Sequence, residues 1–508
     1  METLHVSTKK ISFKYFAPFF KGPVKVRLSK SAIHNIKRSH KNLQSILSSG
    51  ESVYGVNTGF GNLSHIPINN EDQSQLQINL VRSHASGIGE YLEPSIVRVI
   101  LFLKLLTYAH GYSGVRLSLA NKIVQFINKD IIPVIPKRGS VGASGDLAPL
   151  GHMALALIGE GEVFHNGKKY KTKNILKKYG INALKLGPKE GLSLINGTQV
   201  STALAIDACL KGERCLKTAD IAGALSVENS LSSRSVFKAN IHKLKMHPGQ
   251  RQSAKNVYKI LTGSQIVESH KTCETVQDPY SFRCIPHVHG ACRDMFSSAS
   301  NVINNEINSV SDNPLIMNEK NVSTSGHFHA EHIAQALDTI AISFSEIGAI
   351  SERRVHYFMK GIGKQIPPFV TEDPGVQSGY MIAHVTASAL ASENKTLSHP
   401  ASVDSLPTSG GQEDLVSMAP WSAFKLDKIY ENIVFILAIE LIVAGAANNI
   451  GMAGLTPGKG TLPILDLLNK NCDYVKGDRP LTSEIEKISG LINSGSIINA
   501  VSNYLILE

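Results

Sequence analysis

A chain of 508 residues with 42% hydrophobic and 18% charged residues has the composition of a folded globular protein, which excludes an intrinsically disordered chain. On length alone it has room for roughly three domains, although elongated helical subunits often run longer as one unit. Much of the excess behind the net charge of +11 sits in the first 41 residues and in "NGKKYKTKNILKKYG" at 166–180; no nucleic-acid motif accompanies either cluster, so both read as solvated faces.

The N-terminus "METLHVSTKK" has no apolar stretch behind its charges, so no secretory signal is expected. The first 200 residues are punctuated by glycine, in "YGVNTGFGN" (54–62), "SHASGIGE" (83–90), "AHGYSG" (109–114) and "GSVGASGDLAPL" (139–150). Such segments hold backbone in positions closed to other residues. From about residue 200 the chain changes to long, proline-poor runs of Ala, Ile and Leu. Residues Phe328 to Lys360 contain no proline and as one helix would span about 50 Å. Within them Ile333, Leu337, Ile340, Phe344 and Ile347 recur at spacings of four and three, an apolar seam of bundle type. Similar runs occupy 200–231, 376–397 and 425–450, and the last is apolar on nearly every side, which predicts burial between subunits.

The longest apolar run, Ile433 to Ala447, is interrupted by Glu440 and falls short of the ~20 residues of a membrane span, so it reads as a bundle helix. Cysteines at 209, 215, 273, 284, 292 and 472 show neither a CxxC pair nor metal-ligand spacing, which predicts reduced thiols in a cytoplasmic protein. The expected fold is mostly α. A glycine-loop-rich N-terminal part (1–200) stands before a long central helical bundle and C-terminal helices (201–508).

The stretch "GSVGASGDLAPL" places Ala143-Ser144-Gly145 among residues small enough for the backbone to fold back on itself. About 0.2 such tripeptides are expected by chance in a chain of this size, so the triplet alone proves little. In this context the amide nitrogen of Gly145 can attack the carbonyl carbon of Ala143. Loss of two waters, one of them carrying the Ser144 hydroxyl oxygen, then leaves a five-membered ring with an exocyclic methylene. A helix beginning at Asp146–Leu147 would point its positive end at such a group.

This stretch resembles the prosthetic-group segment of the aromatic amino acid ammonia-lyases. The resemblance also rests on "VYGVNTGFG" (53–61), "LVRSHASGIGE" (80–90), "EGLSLINGTQVSTA" (190–203), "QDPYSFRC" (277–284), "SDNPL" (311–315), "ASENKTLSHPASVDSLPTS" (391–409) and "QEDLVSM" (412–418), in family order from about residue 25 to 450. The nearest branch is the one that acts on histidine. The resemblance implies an aspartase/ammonia-lyase-like fold and a homotetramer whose active sites are shared between subunits. It also implies 4-methylidene-imidazol-5-one formed from Ala143, Ser144 and Gly145, with no metal or added organic cofactor. The implied reaction eliminates ammonia from L-histidine to give trans-urocanate. Ammonia leaves poorly and the β-hydrogen is weakly acidic, so an electrophile that captures the amine is needed beside the base.

Carried over residue by residue, Tyr54 resembles the tyrosine that takes the β-proton. Tyr280 and Asn196 match residues beside the prosthetic group. Arg283 can hold the substrate carboxylate through two parallel hydrogen bonds, with Gln277 in the same motif. His84 and Glu413 fit the two nitrogens of an imidazole, and an apolar side chain would leave both unpaired at a cost of about 1–3 kcal/mol each. Phe328 joins the substrate-binding set. The chain departs from the family pattern at His327 (usually Asn), His332 (Pro), His287 (Gln), Gly411 (Asn) and Leu415 (His). These departures keep other substrates open: another aromatic amino acid, a ring- or N-modified histidine, an aminomutase reaction, or a non-catalytic relative.

Overall fold

The proline-poor runs fold into long helices. The computed structural model describes residues 3–271, 276–474 and 477–508. In it the runs expected at 200–231, 376–397 and 425–450 become Gln199–Asn229, Met381–Leu397 and Ala419–Gly451. The proline-free stretch becomes Glu331–Met359, three residues later than its first apolar residue, because Ala330 spends its N–H on the carbonyl of Gly142. The seam Ile333, Leu337, Ile340, Phe344 and Ile347 is fully buried. The expectation of a mostly α chain therefore holds, and strands among the described residues are short.

Two compact units divide the chain: Met1–Leu210 with Ser300–Leu337 and Pro400–Phe424, and Lys211–Ala299 with Asp338–His399 and Lys425–Glu508. The first contains the small sheets. Thr3–Val6 pairs in parallel with Lys25–Leu28, and antiparallel pairs join Ile88–Tyr91 to Pro136–Arg138 and Leu315–Asn318 to Asn321–Ser323. A cluster of Leu43, Ile46, Val53, Val56 and Ile316 anchors the loop that carries Tyr54. The helix Pro94–Ala109 is buried on nearly every side, with Lys104 in its middle.

In the second unit residues 425–451 of the helix Ala419–Gly451 supply the core. Every residue from Ile433 to Ala447 is buried except half-buried Phe435. The chain's own side chains provide that burial, so this helix gives no argument for a subunit contact, contrary to the expectation. The helix is also much longer than its apolar run: Ala419–Gly451 and Glu331–Met359 both have the length and composition to cross a membrane, yet most of each is buried inside the protein. Glu440 interrupts the longer one without disorder because its carboxylate is fully satisfied. It accepts from Arg354 Nε and Nη2 at 2.5 and 2.8 Å, from Ser226 Oγ at 2.7 Å and from Ser351 Oγ at 2.5 Å.

Cys209, Cys215, Cys292 and Cys472 are buried thiols and Cys284 is half-buried. Cys273 lies outside the described residues.

Candidate active site

Within the first unit the tripeptide lies in a loop whose backbone only glycine tolerates. Gly142 and Gly145 have φ of +67° and +76°. A Cβ on Gly142 would sit 2.2 Å from Ser417 Oγ, and one on Gly145 would sit 2.2 Å from the Gly197 carbonyl oxygen. Ser417 Oγ donates to the Gly142 carbonyl at 3.0 Å, and Met418 N donates to Val141 O at 2.8 Å. Asp146 N donates to Gly197 O at 2.8 Å. The loop is thus clamped by backbone on both sides.

Asp146 begins the helix Leu147–Leu157, as expected, but its side chain does not cap that helix. Its carboxylate instead accepts from Val200 N, Ser201 N and Ser201 Oγ at 2.9, 2.8 and 2.7 Å, which caps the start of Gln199–Asn229. Burial raises the Asp146 pKa, and these hydrogen bonds oppose the rise.

Asn196 ends the short helix Glu190–Ile195 and donates from Nδ2 to the Ser144 carbonyl at 3.4 Å. Its Oδ1 is a buried acceptor with no partner. Ser144 Oγ donates to Glu413 Oε1 at 2.5 Å, while Glu413 Oε2 accepts from Thr408 Oγ1 at 2.6 Å and Ser409 Oγ at 2.8 Å. Burial alone would raise the Glu413 pKa, but these three hydroxyls and His84 outweigh it and lower it. His84 Nδ1 donates to Leu80 O at 2.8 Å, which fixes the tautomer and makes Nε2 the ring's acceptor. Burial lowers the His84 pKa, while Leu80 and Glu413 oppose that.

Tyr54 sits on a loop held by Gln77, whose amide donates to Gly55 O and accepts from Leu192 N, both at 2.9 Å. The Tyr54 phenol oxygen accepts from Gly61 N at 3.0 Å. Phe328 is half-buried, two residues before Ala330, whose N–H reaches the Gly142 carbonyl. Within the first unit this loop system joins Ser144 to Asn196 and to Glu413, with His84 acting on the Glu413 charge, while Tyr54 and Phe328 stand on other loops of the same unit.

Gln277, Tyr280 and Arg283 form a separate cluster in the second unit. Arg283 Nη2 donates to Gln277 Oε1 at 2.9 Å, and its guanidinium lies 4.7 Å from the Tyr280 ring centre. Arg283 Nε is buried without a partner, a donor available to a carboxylate. Gln277 and Arg283 line a cavity of about 690 Å³, whereas the Tyr280 side chain is exposed. Phe282 anchors the segment by packing edge-on against Tyr357 at 5.0 Å.

The departures are accommodated locally. Gly411 has a φ of +88°, the left-handed region that glycine and asparagine both adopt. His327 is exposed and pairs with Ser325 Oγ at 2.8 Å, and Leu415 is exposed. His332 is exposed, and His287 packs its ring 5.8 Å from that of His242. Sequence reasoning missed Gln77, Ser417 and Lys104. For Lys104 a signal existed, a lone cation inside "VILFLKLLTYA".

The loop fits the prosthetic ring that the resemblance implies: the clamped glycines fold the backbone back on itself and leave no space for other residues. Comparison with known proteins agrees with this geometry. Residues 12–470 match the family model described as aromatic amino acid lyase. A histidine ammonia-lyase of Idiomarina loihiensis is 45% identical over 94% of this chain and 93% of its own length. The crystal structure of histidine ammonia-lyase from Trypanosoma cruzi superposes with a TM-score of 0.90 at 33% identity, covering 100% of this chain and 96% of that one. A tyrosine aminomutase of Streptomyces globisporus gives 0.94 at 30% identity, with both chains fully covered. With its glycine-clamped Ala-Ser-Gly loop and a family match from residue 12 to 470, the chain belongs to the aromatic amino acid lyase family.

Proposed function

We propose that this chain eliminates ammonia from L-histidine to give trans-urocanate. The observation that carries the reading is the hydrogen bond from Ser144 Oγ to Glu413, a carboxylate whose pKa is lowered in part by His84. Glu413 and His84 are the two groups suited to an imidazole, and the 45% identity to a histidine ammonia-lyase supports the reading. A methylidene-imidazolone in Ala143–Gly145 would supply an electrophilic methylene carbon that no unmodified side chain offers.

The chain's own residues do the rest. Asn196 holds the Ser144 carbonyl. His84 Nε2 and the Glu413 carboxylate orient the substrate ring as its imidazolium, each accepting from one ring N–H. Arg283, with its unpartnered Nε, binds the carboxylate and is turned by Gln277. Tyr54 receives the β-proton at its phenol oxygen, with Gly61 N fixing that oxygen in place. The reading needs no metal, nucleic acid or membrane. Thiols rather than disulfides suit a cytoplasmic enzyme. Exposed Met295, Ile342, Ile382 and Val385 on the helices of the second unit support assembly with further copies of the chain, a homotetramer with shared sites.

Two measurements test the reading. The intact mass should be lower than the sequence mass by two waters, and L-histidine should yield a product absorbing in the near ultraviolet. Full mass with no turnover would overturn it. The full-length likeness to a tyrosine aminomutase supports a second reading, in which ammonia returns at the β-carbon; formation of a β-amino acid in place of urocanate would select it.

A further inference from the structure

Lys104 is fully buried in the helix Pro94–Ala109 and takes no part in the steps above. We propose that Lys104 is a positioning residue for ring closure in Ala143-Ser144-Gly145, acting through Asn196 and Gly197. The inference rests on the prosthetic-ring reading.

The Lys104 amine donates to the carbonyls of Asn196 at 2.8 Å and Ser193 at 3.1 Å. Both carbonyls end the helix Glu190–Ile195, where the last carbonyls have no partner within the helix and a cation is favoured. Ser193 O has a second donor in Tyr108 Oη at 3.1 Å; the Asn196 carbonyl receives the shorter bond from Lys104. The neighbours of Lys104 on its own helix are Ile100, Leu101, Leu105 and Tyr108, all buried. Burial lowers the amine's pKa to about 7, with Asp312 and Asp146 opposing the drop and Lys189 adding to it. An apolar residue would suit the surroundings better, so the amine is kept for the carbonyls it holds.

Fixing the Asn196 carbonyl fixes the peptide plane that enters Gly197, a residue with a φ of +123°. Three contacts lead from that plane toward the tripeptide. Asn196 Nδ2 donates to Ser144 O, Gly197 O accepts from Asp146 N, and Gly145 pairs with Gly197 as a parallel bridge. Ring closure forms a bond from Gly145 N to the Ala143 carbonyl carbon. The carbonyl oxygen leaves as water with the amide hydrogens of Gly145 and Ser144, leaving a C=N bond. The Ser144 hydroxyl leaves as the second water with the hydrogen of Ser144 Cα, leaving a C=C bond. No oxidant or metal enters the balance, so the protein's contribution is alignment of the reacting nitrogen and carbon. Lys104 secures the surface against which that alignment is made.

The test compares wild type, Lys104→Met and Lys104→Gln by intact mass, near-ultraviolet absorption of the ring and thermal unfolding. Lys104→Met should fold with wild-type helical content and carry the ring in fewer than about a tenth of chains, with Lys104→Gln, which keeps one donor, between the two. Full ring content in a folded Lys104→Met overturns the proposal. Failure of both variants to fold also overturns it, since Lys104 is then a structural residue. A wild type of full mass removes the prosthetic-ring reading itself, and with it this inference; a wild type short of two waters beside a Lys104→Met equally short removes only the role of Lys104.

Discussion

Asp146 and Glu440 are both fully buried carboxylates, and each is satisfied by a different kind of partner. Around Asp146 the donors are the backbone amides of Val200 and Ser201 and the hydroxyls of Ser201 and Ser140. Around Glu440 they are an arginine and two serines. Those come from Gln199–Asn229 and Glu331–Met359, helices other than its own. The loop region is therefore specified atom by atom, through glycine conformations and backbone bonds that no neighbour can replace. The bundle is specified by buried ion pairs such as Arg354–Glu440 and Arg293–Asp220 inside a redundant apolar surround. A change in the loop should abolish chemistry and spare the fold, and a change in the bundle should do the reverse.

The largest expected effect is at Ser144. Ser144→Ala removes the atom that becomes the methylene carbon's leaving group, so turnover should fall by several orders of magnitude while the thermal midpoint stays near wild type. An active Ser144→Ala protein would break the comparison at its centre. In the bundle, Arg354→Met strands the Glu440 carboxylate and should cost about 3–5 kcal/mol in denaturant unfolding, with the ring still formed in chains that fold. Loss of the ring without loss of stability would reverse the assignment of the two regions.

Glu413→Gln sharpens the picture of the substrate pocket. An amide keeps an acceptor but loses the charge that strengthens bonding to an imidazole N–H, so the expected loss in kcat/KM for histidine is about 1.5–3 kcal/mol, roughly tenfold to more than a hundredfold. The ring should form normally in this variant, as read by mass.

The last expected effect is a slope, modest at any one pH step. Lys104 has a folded-state pKa lowered to about 7, whereas the unfolded chain protonates lysine up to about 10.4. Between those values the unfolded state binds the extra proton, so stability rises with pH, by up to about 1.4 kcal/mol per pH unit from this group. Lys104→Met should flatten that rise in unfolding experiments from pH 7 to 10. An unchanged slope would mean that Lys104 does not titrate there.

The helices are readable because their apolar spacing runs for several turns, about four from Ile333 to Ile347 within Glu331–Met359. Their boundaries were less so, since tertiary bonds such as Ala330 N to Gly142 O decide where a helix may start. In the loop system the residues Tyr54, Ser144, Asn196 and Glu413 were legible as motifs. The contact between Ser144 and Glu413 joins positions far apart in the chain, and no local pattern encodes it. Asp146 shows the limit most clearly: its position announces a helix N-cap, but its carboxylate caps a different helix. Periodicity also cannot say who buries a helix, which is why Ala419–Gly451 looked like an interface and is covered by its own chain.

The cysteines carry a practical consequence. Burial raises the thiols of Cys215 and Cys292 to about 12 and that of Cys472 to about 11, which starves them of the thiolate that reacts with electrophiles. Buried Cys209 is screened by the helices around it. Among the described residues this leaves half-buried Cys284, the residue directly after Arg283, as the thiol that a maleimide or a fluorine-tagged alkylating reagent reaches first. The protein thus carries its own attachment point for a spectroscopic label beside Arg283, and changes in that loop can be followed without engineering a new cysteine.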